Sequence, residues 1–187
     1  MSEPETYTAF VDGRLVASAR LEVVAIAVSK EAANRPALIF DDATGRQIEL
    51  DLRAGPDHAA AAFRARTSPQ AAPPPRQGRG RPKLGVVARE VTLLPRHWDW
   101  LAAQPGGASA ALRRLVEDAR RTNEGADRER QARDAAYRVM SALAGDLPGF
   151  EEASRALFAG DLEKVNREAT IWPSGIRDYV LRLASAS

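Results

Sequence analysis

The chain has 187 residues, of which 44% are hydrophobic and 28% charged, proportions typical of a folded globular protein. It contains no cysteine, which excludes disulfides, thiolate nucleophiles and cysteine-based metal sites. Residues 76–121 carry 10 basic and 4 acidic side chains, whereas residues 1–75 and 122–187 each have a net charge of −2. A basic centre between acidic flanks is typical of a protein that binds a polyanion, although composition alone fits a solvated arginine-rich linker equally well.

The beginning of the chain, Met1–Glu5, is acidic and lacks the apolar core of a signal peptide. The longest apolar stretch, Val23–Val28, is too short to cross a bilayer. We therefore expect a cytoplasmic protein that does not bind membranes.

Residues 5–54 are predicted to form a small α+β domain with the order β-β-α-β-β. Asp12-Gly13 between two apolar runs is typical of a hairpin turn, because both turn positions need positive φ. Helical spacing predicts a helix from Leu21 to about Ala33, with a buried strand as the alternative because the segment is β-branched. Strands are expected at Ala37–Phe40 and Gln47–Leu52. About 50 residues give a marginal core, so we expect this module to pack against another surface.

Four acidic residues near the end of this module raise the question of a metal site: Asp41, Asp42, Glu49 and Asp51. Asp is favoured in turns for its local backbone hydrogen bonds, and strand alternation directs Glu49 and Asp51 to solvent. We therefore interpret all four as turn and surface residues, and we expect no metal and no cofactor.

Residues 55–83 are predicted to be a linker rich in proline and arginine. His58–Arg64 can form one helical turn, but the prolines of 68–75 exclude a helix and favour an extended tether. The next eight residues, 76–83, resemble an AT-hook, a minor-groove peptide built around Gly-Arg-Pro. The resemblance implies that Arg79 and Arg81 follow the floor of A·T-rich DNA, flanked by the basic Arg76 and Lys83.

Residues 84–121 are predicted to form a strand, a helix and a second helix. The strand covers Val86–Leu94, and Pro95 suits the first position of a helix that extends to Ala103. After a glycine break, Ser109 is expected to cap a second helix, Ala110–Arg121.

This order resembles the ribbon-helix-helix DNA-binding fold. The resemblance implies a homodimer with paired strands in the major groove and a phosphate held by the amides of 108–110. Arg89 is the one basic residue of the strand that could reach bases, so the strand suits dimerisation better than base reading. We expect 84–121 to be an obligate homodimer whose core includes Leu115. We expect Trp98 to be buried and Trp100 to face the other way, on a subunit or interdomain surface.

Residues 126–187 are predicted to form a helical C-terminal unit. Helices are expected at Asp127–Ala144, at Phe150–Ala159, after a cap at Asp161, and after Trp172-Pro173-Ser174. This unit and the N-terminal module are candidates for binding a protein partner.

The chain as a whole resembles an uncharacterised bacterial family, a domain of unknown function. The matching stretches are Gly80–Val86, Glu90–Ala108 and Trp172–Asp178. The resemblance implies no catalytic residues. No nucleophile–base pair, phosphate loop or metal-ligand spacing points to an enzyme, and the two histidines, His58 and His97, are interpreted as surface or capping residues.

The sequence therefore predicts a DNA-binding regulatory or chromosome-associated protein. The alternative is a protein-interaction adaptor, similar to an antitoxin, that uses the ribbon-helix-helix unit for assembly only. The expected nucleic-acid-binding residues are Arg76, Arg79, Arg81, Lys83, Arg89 and Ser109.

Overall fold

The structure, a computed structural model, describes residues 5–32, 35–67 and 89–186. Two compact units make up the chain: the first comprises residues 1–68 and 125–187, and the second comprises residues 69–124. The predicted α+β class is confirmed, since a four-stranded antiparallel sheet is followed by helical segments. The predicted proline-rich tether and AT-hook-like segment, 68–83, lie outside the described residues.

The sheet has the strand order β2-β1-β3-β4, with every neighbouring pair antiparallel. The hairpin turn is confirmed, because Asp12 and Gly13 have φ values of 51° and 73°. The last strand is shorter than predicted and is followed by a 3-10 turn, Leu52–Ala54, which is capped by the side chain of Asp51. The strands are β1 (Tyr7–Val11), β2 (Arg14–Ala19), β3 (Ala37–Asp41) and β4 (Gln47–Ile48).

Two helices accompany the sheet: α1 (Leu21–Glu31) and α2 (Pro56–Thr67). Helical spacing decides the conformation of α1 despite its β-branched residues, since Leu21, Val24 and Val28 lie on its buried face. The helix α2 is about two turns longer than the single turn predicted. Its Arg64 pairs with Glu22 of α1.

The second unit contains α3 (Pro95–Ala102) and the first residues of α4 (Gly107–Ala144). Pro95 occupies the first turn of α3 as predicted, where its missing N–H is not needed. Gly106 and Gly107 have φ values of 83° and 73°, a conformation that favours glycine, and they separate the two helices.

The ribbon-helix-helix arrangement stays a prediction, because its strand would pair with a second copy of the chain. Residues 89–94 form no strand, and 86–88 lie outside the described residues. The two predicted helices Ala110–Arg121 and Asp127–Ala144 are one helix, because the intervening residues contain no proline and no left-handed glycine to end it.

The remaining helices of the first unit are α5 (Phe150–Ala159), α6 (Leu162–Glu168) and α7 (Ser174–Ala184). The predicted cap is present, since Asp161 accepts a hydrogen bond from the amide of Lys164 at 2.9 Å.

The N-terminal sheet and the C-terminal helices share one core rather than forming separate modules. Phe10 of β1 and Phe40 of β3 are buried together with the apolar faces of the C-terminal half of α4 and of α5–α7. A second cluster lies between the sheet and α1, around Leu21, Val24 and Ile39. The sheet therefore has a packed core on each side, which fits the expectation that so small a module packs against another surface.

The turn between β3 and β4 contacts α4 at a position that only glycine can occupy. Gly45 has a φ of 64°, and a Cβ atom there would lie 2.2 Å from the carbonyl oxygen of Ala135.

We predict that Gly45→Ala lowers the free energy of unfolding by about 1 kcal/mol for the left-handed backbone and by a further ~1–3 kcal/mol for the clash. Gly160→Ala is the matched control, because Gly160 has a φ of 77° and nothing within 4 Å. Equal losses in urea titrations of the two variants would contradict the close approach.

Candidate functional site

A buried carboxylate lies where the sheet meets α7. Asp42 follows β3 directly, and its side chain is only 10% exposed. Its Oδ1 accepts hydrogen bonds from the hydroxyls of Thr8 at 2.7 Å and Tyr179 at 2.8 Å. We call Thr8, Ser18, Asp42, Tyr179 and Arg182 the Asp42 network.

The donor and acceptor of each hydrogen bond in this network can be assigned. Because the Thr8 proton is donated to Asp42, the Thr8 oxygen accepts from Ser18 at 2.9 Å and from the Nη2 of Arg182 at 3.0 Å. Arg182 also donates to Ser18 at 3.1 Å. Thr8 is fully buried, and its polar group is satisfied in this way.

The positive charge of Arg182 lies beside the negative charge of Asp42. The Nη2 of Arg182 lies 3.6 Å from Oδ2 of Asp42, an ion pair without a hydrogen bond, and the buried Oδ2 has no hydrogen-bond partner among the described residues. The guanidinium also lies 5.0 Å from the centre of the Tyr179 ring. Burial, followed by the negative charge of Asp42, raises the pKa of the Tyr179 phenol far above its usual range. The phenol therefore remains a hydrogen-bond donor at physiological pH.

This geometry fixes the position of α7 on the sheet, and it offers no metal site. Across the described residues, no group of three or more His, Cys, Asp or Glu side chains is arranged to hold a metal ion. Asp41 behaves as the sequence predicts for a turn residue, since it accepts from the amide of Ala43 and the hydroxyl of Thr44, both at 2.9 Å. Asp42 does not behave in this way. The prediction that it is a surface residue is wrong, since its side chain is only 10% exposed. Hydroxyl donors from β1 and α7 compensate this burial.

The second unit presents a different kind of surface. Several large apolar side chains in its described part are exposed, among them Trp98 at 40% and Trp100 at 51%. Inside this unit Leu101 and Ala111 are buried, so α3 and the start of α4 direct only part of their apolar surface inward. We call the exposed set the α3–α4 surface; it consists of Val91, Leu94, Trp98, Trp100, Leu115 and Val116.

The structure corrects the prediction for Trp98, whereas the place of Leu115 in a homodimer core stays a prediction. Trp98 was expected in the core and is exposed. Trp100 is also exposed, and its place on a subunit or interdomain surface stays a prediction. Leu115 is 44% exposed, so it is not part of a core formed by this chain alone.

The predicted nucleic-acid-binding residues are only partly within the described chain. Arg76, Arg79, Arg81 and Lys83 lie outside it. Arg89 is exposed in the irregular segment before α3.

Ser109 is not the N-cap that the sequence predicts, because α4 begins at Gly107. Its backbone carbonyl instead accepts a hydrogen bond from Nε of Arg113 at 3.2 Å. The amides of 108–110 still belong to the first turn of the helix.

All six arginines in the described part of the basic segment are exposed. Among the ion pairs described for them, Arg120 contacts Glu117 at 3.5 Å within α4. The guanidinium groups are therefore accessible to an anion from solvent. They are Arg89, Arg96, Arg113, Arg114, Arg120 and Arg121.

The sequence did not reveal the Asp42 network. Asp42 and Tyr179 are 137 residues apart, and Thr8 and Arg182 are 174 apart, so no local spacing connects them. The one local signal is Thr8, a polar residue in a strand that is buried along its whole length.

We predict that Tyr179→Phe lowers the free energy of unfolding by about 2 kcal/mol at pH 7, because a hydrogen bond to a buried carboxylate is lost. The raised pKa of Tyr179 has a second consequence. Below about pH 10 the phenol is protonated in both the folded and the unfolded state, so its contribution is complete. Above that pH the unfolded state ionises first, and stability falls by up to ~1.4 kcal/mol per pH unit.

Urea titrations from pH 7 to pH 11 measure both effects, and the alkaline loss should be smaller in Tyr179→Phe than in the wild type. Tyr137→Phe is the control, because the Tyr137 hydroxyl makes no hydrogen bond within the described residues. A Tyr179→Phe protein as stable as the wild type, with the same alkaline loss, would show that the network does not stabilise the fold.

None of the described helices has the length and apolar character needed to cross a membrane.

Comparison with known proteins assigns the chain to a family. Neither curated proteins nor solved structures give a match. A family model described as "Uncharacterized protein conserved in bacteria (DUF2239)" matches residues 6–184, and so spans the sheet, the basic segment and the C-terminal helices. The resemblance inferred from the sequence is thus confirmed, and the chain belongs to this bacterial family.

Proposed function

We propose that the protein binds DNA through residues 76–121, in a regulatory or chromosome-associated role rather than a catalytic one. The observation that carries this proposal is the concentration of positive charge. Residues 76–121 have 10 basic and 4 acidic side chains, and every arginine in their described part is exposed. An accessible cluster of guanidinium groups between acidic flanks favours contact with a phosphate backbone.

The two halves of this segment suit different contacts. Arg79 and Arg81 stand in a Gly-Arg-Gly-Arg-Pro sequence, which suits the narrow minor groove of A·T-rich DNA. Arg113, Arg114, Arg120 and Arg121 are exposed on α4 and suit phosphates rather than bases. The proposed specificity therefore resides in 79–81, and the helices add affinity that is independent of sequence.

We further propose that the protein is a homodimer that associates through the α3–α4 surface. Residues 89–94 form no strand within one chain, so the proposed contact rests on the helices. The exposed apolar side chains of α3 and of the first residues of α4 suit assembly, because an interface would remove them from water. A two-fold arrangement also places two basic segments side by side, which raises the charge that faces DNA.

The second candidate function is that of a protein-interaction adaptor. Trp98 and Trp100 are exposed within three residues of each other, and tryptophan is enriched at the centres of protein interfaces. On this alternative the α3–α4 surface binds a different protein, and the arginines serve mainly for solubility.

Binding to an A·T-rich and a G·C-rich duplex at a series of salt concentrations tests the DNA proposal. With about four to six phosphates neutralised, the slope of log K against log salt should be on the order of −4 to −5. Arg79→Ala/Arg81→Ala should make this slope less steep by about 2 and remove the preference for the A·T-rich duplex.

The matched control is Arg53→Ala/Arg155→Ala, which removes the same charge outside the basic segment at two exposed positions. It should leave the slope almost unchanged. If the wild-type protein shows no binding at low salt, or if both double variants bind alike, the DNA proposal fails and the adaptor function is favoured.

A further inference from the structure

A shallow groove lies in the first unit between the β3–β4 turn and the C-terminal half of α4. Its volume is about 520 Å³. Its lining comes from two elements and is rich in side chains that donate hydrogen bonds. The lining residues are Phe40, Gly45, Arg46, Gln47, Tyr137, Arg138, Ser141 and Ala142.

The backbone around this groove is held in place. Gly45 lies so close to α4 that no side chain fits between the turn and the helix. The amide of Gly45 donates to the carbonyl oxygen of Asp41 at 2.8 Å, and the Nη1 of Arg138 donates to the carbonyl oxygen of Thr44 at 2.7 Å. The Arg138 guanidinium is therefore preorganised, with one of its five N–H groups occupied.

The charge of the lining is uncompensated. It contains Arg46 and Arg138, and none of its described members is an aspartate or a glutamate. The Arg46 guanidinium makes no ion pair within the described residues. Two guanidinium groups, one side-chain amide and two hydroxyls line the same open surface. They match an anion with several acceptor oxygens, of which a phosphate ester is the best fit.

The remaining space suits the rest of a nucleotide. A phosphate group alone is much smaller than the groove, whose volume is in the range of sites for small organic ligands. Tyr137 provides a half-buried aromatic ring, held by Phe158 and Phe150 at centroid distances of 5.2 and 6.4 Å. A base can stack on an aromatic ring of this kind.

We propose that this groove binds a nucleotide, with its phosphate on Arg46 and Arg138 and its base beside Tyr137. The nucleotide is either a free molecule or one unit of a nucleic acid. This site lies outside residues 76–121, so it is independent of the proposed DNA contact there.

Arg46→Gln tests the proposal in the full-length protein, because this guanidinium holds no other residue and its loss leaves the turn intact. The matched control is Arg155→Gln on α5, an exposed arginine of the same unit. Calorimetric titration uses AMP in one arm and a 12-nucleotide single strand in the other, because a base paired in a duplex is not free to stack on Tyr137. We expect Arg46→Gln to weaken AMP binding about tenfold, and we expect Arg155→Gln to leave it unchanged.

If only the single-strand arm shows this difference, the nucleotide belongs to a nucleic acid and the site stands. If Arg46→Gln changes neither affinity relative to Arg155→Gln, the proposal is overturned. The Arg79→Ala/Arg81→Ala variant separates the two hypotheses, because it should weaken duplex binding and leave AMP binding at the wild-type level.

Discussion

The first unit depends on the burial of one carboxylate. Removing the charge of Asp42 from water is unfavourable unless donors replace the lost hydration. The sheet supplies one donor, from Thr8, and α7 supplies another, from Tyr179. Because neither segment can satisfy the carboxylate alone, the two ends of the chain must come together for the site to be stable. The adjacent rings of Phe10, Phe40 and Tyr179 bury their apolar surface in the same step.

This constraint explains which parts of the fold could be predicted from the sequence. Local signals worked where local physics decides: the Asp12-Gly13 hairpin, Pro95 at the start of α3 and the cap at Asp161. They failed where a partner distant in the sequence decides. In the sequence nothing distinguishes Asp42 from an ordinary turn residue, because its partner Tyr179 lies 137 positions later. The strand predicted before Pro95 stays a prediction, since residues 89–94 have the composition of a strand but no strand beside them within the described chain.

The candidate functional residues follow the same division. The basic segment is visible in composition alone, because charge is a property of the sequence. The groove lined by Arg46 and Arg138 is not visible in the composition. These two arginines are 92 positions apart, and they line one groove only because the β3–β4 turn packs on α4. A single family model covers both regions, residues 6–184. The proposed role therefore combines two separate basic sites in one chain, one in each unit.

Because they share one core, the N-terminal sheet and the C-terminal helices should open as one cooperative unit. Hydrogen exchange of the full-length protein, measured by mass spectrometry over a series of low urea concentrations, tests it directly. We expect the amides of β1 and β3 and those of α7 to exchange with the same free energy of opening. Amides of α7 that exchange through a much smaller opening, while the sheet remains protected, would contradict it.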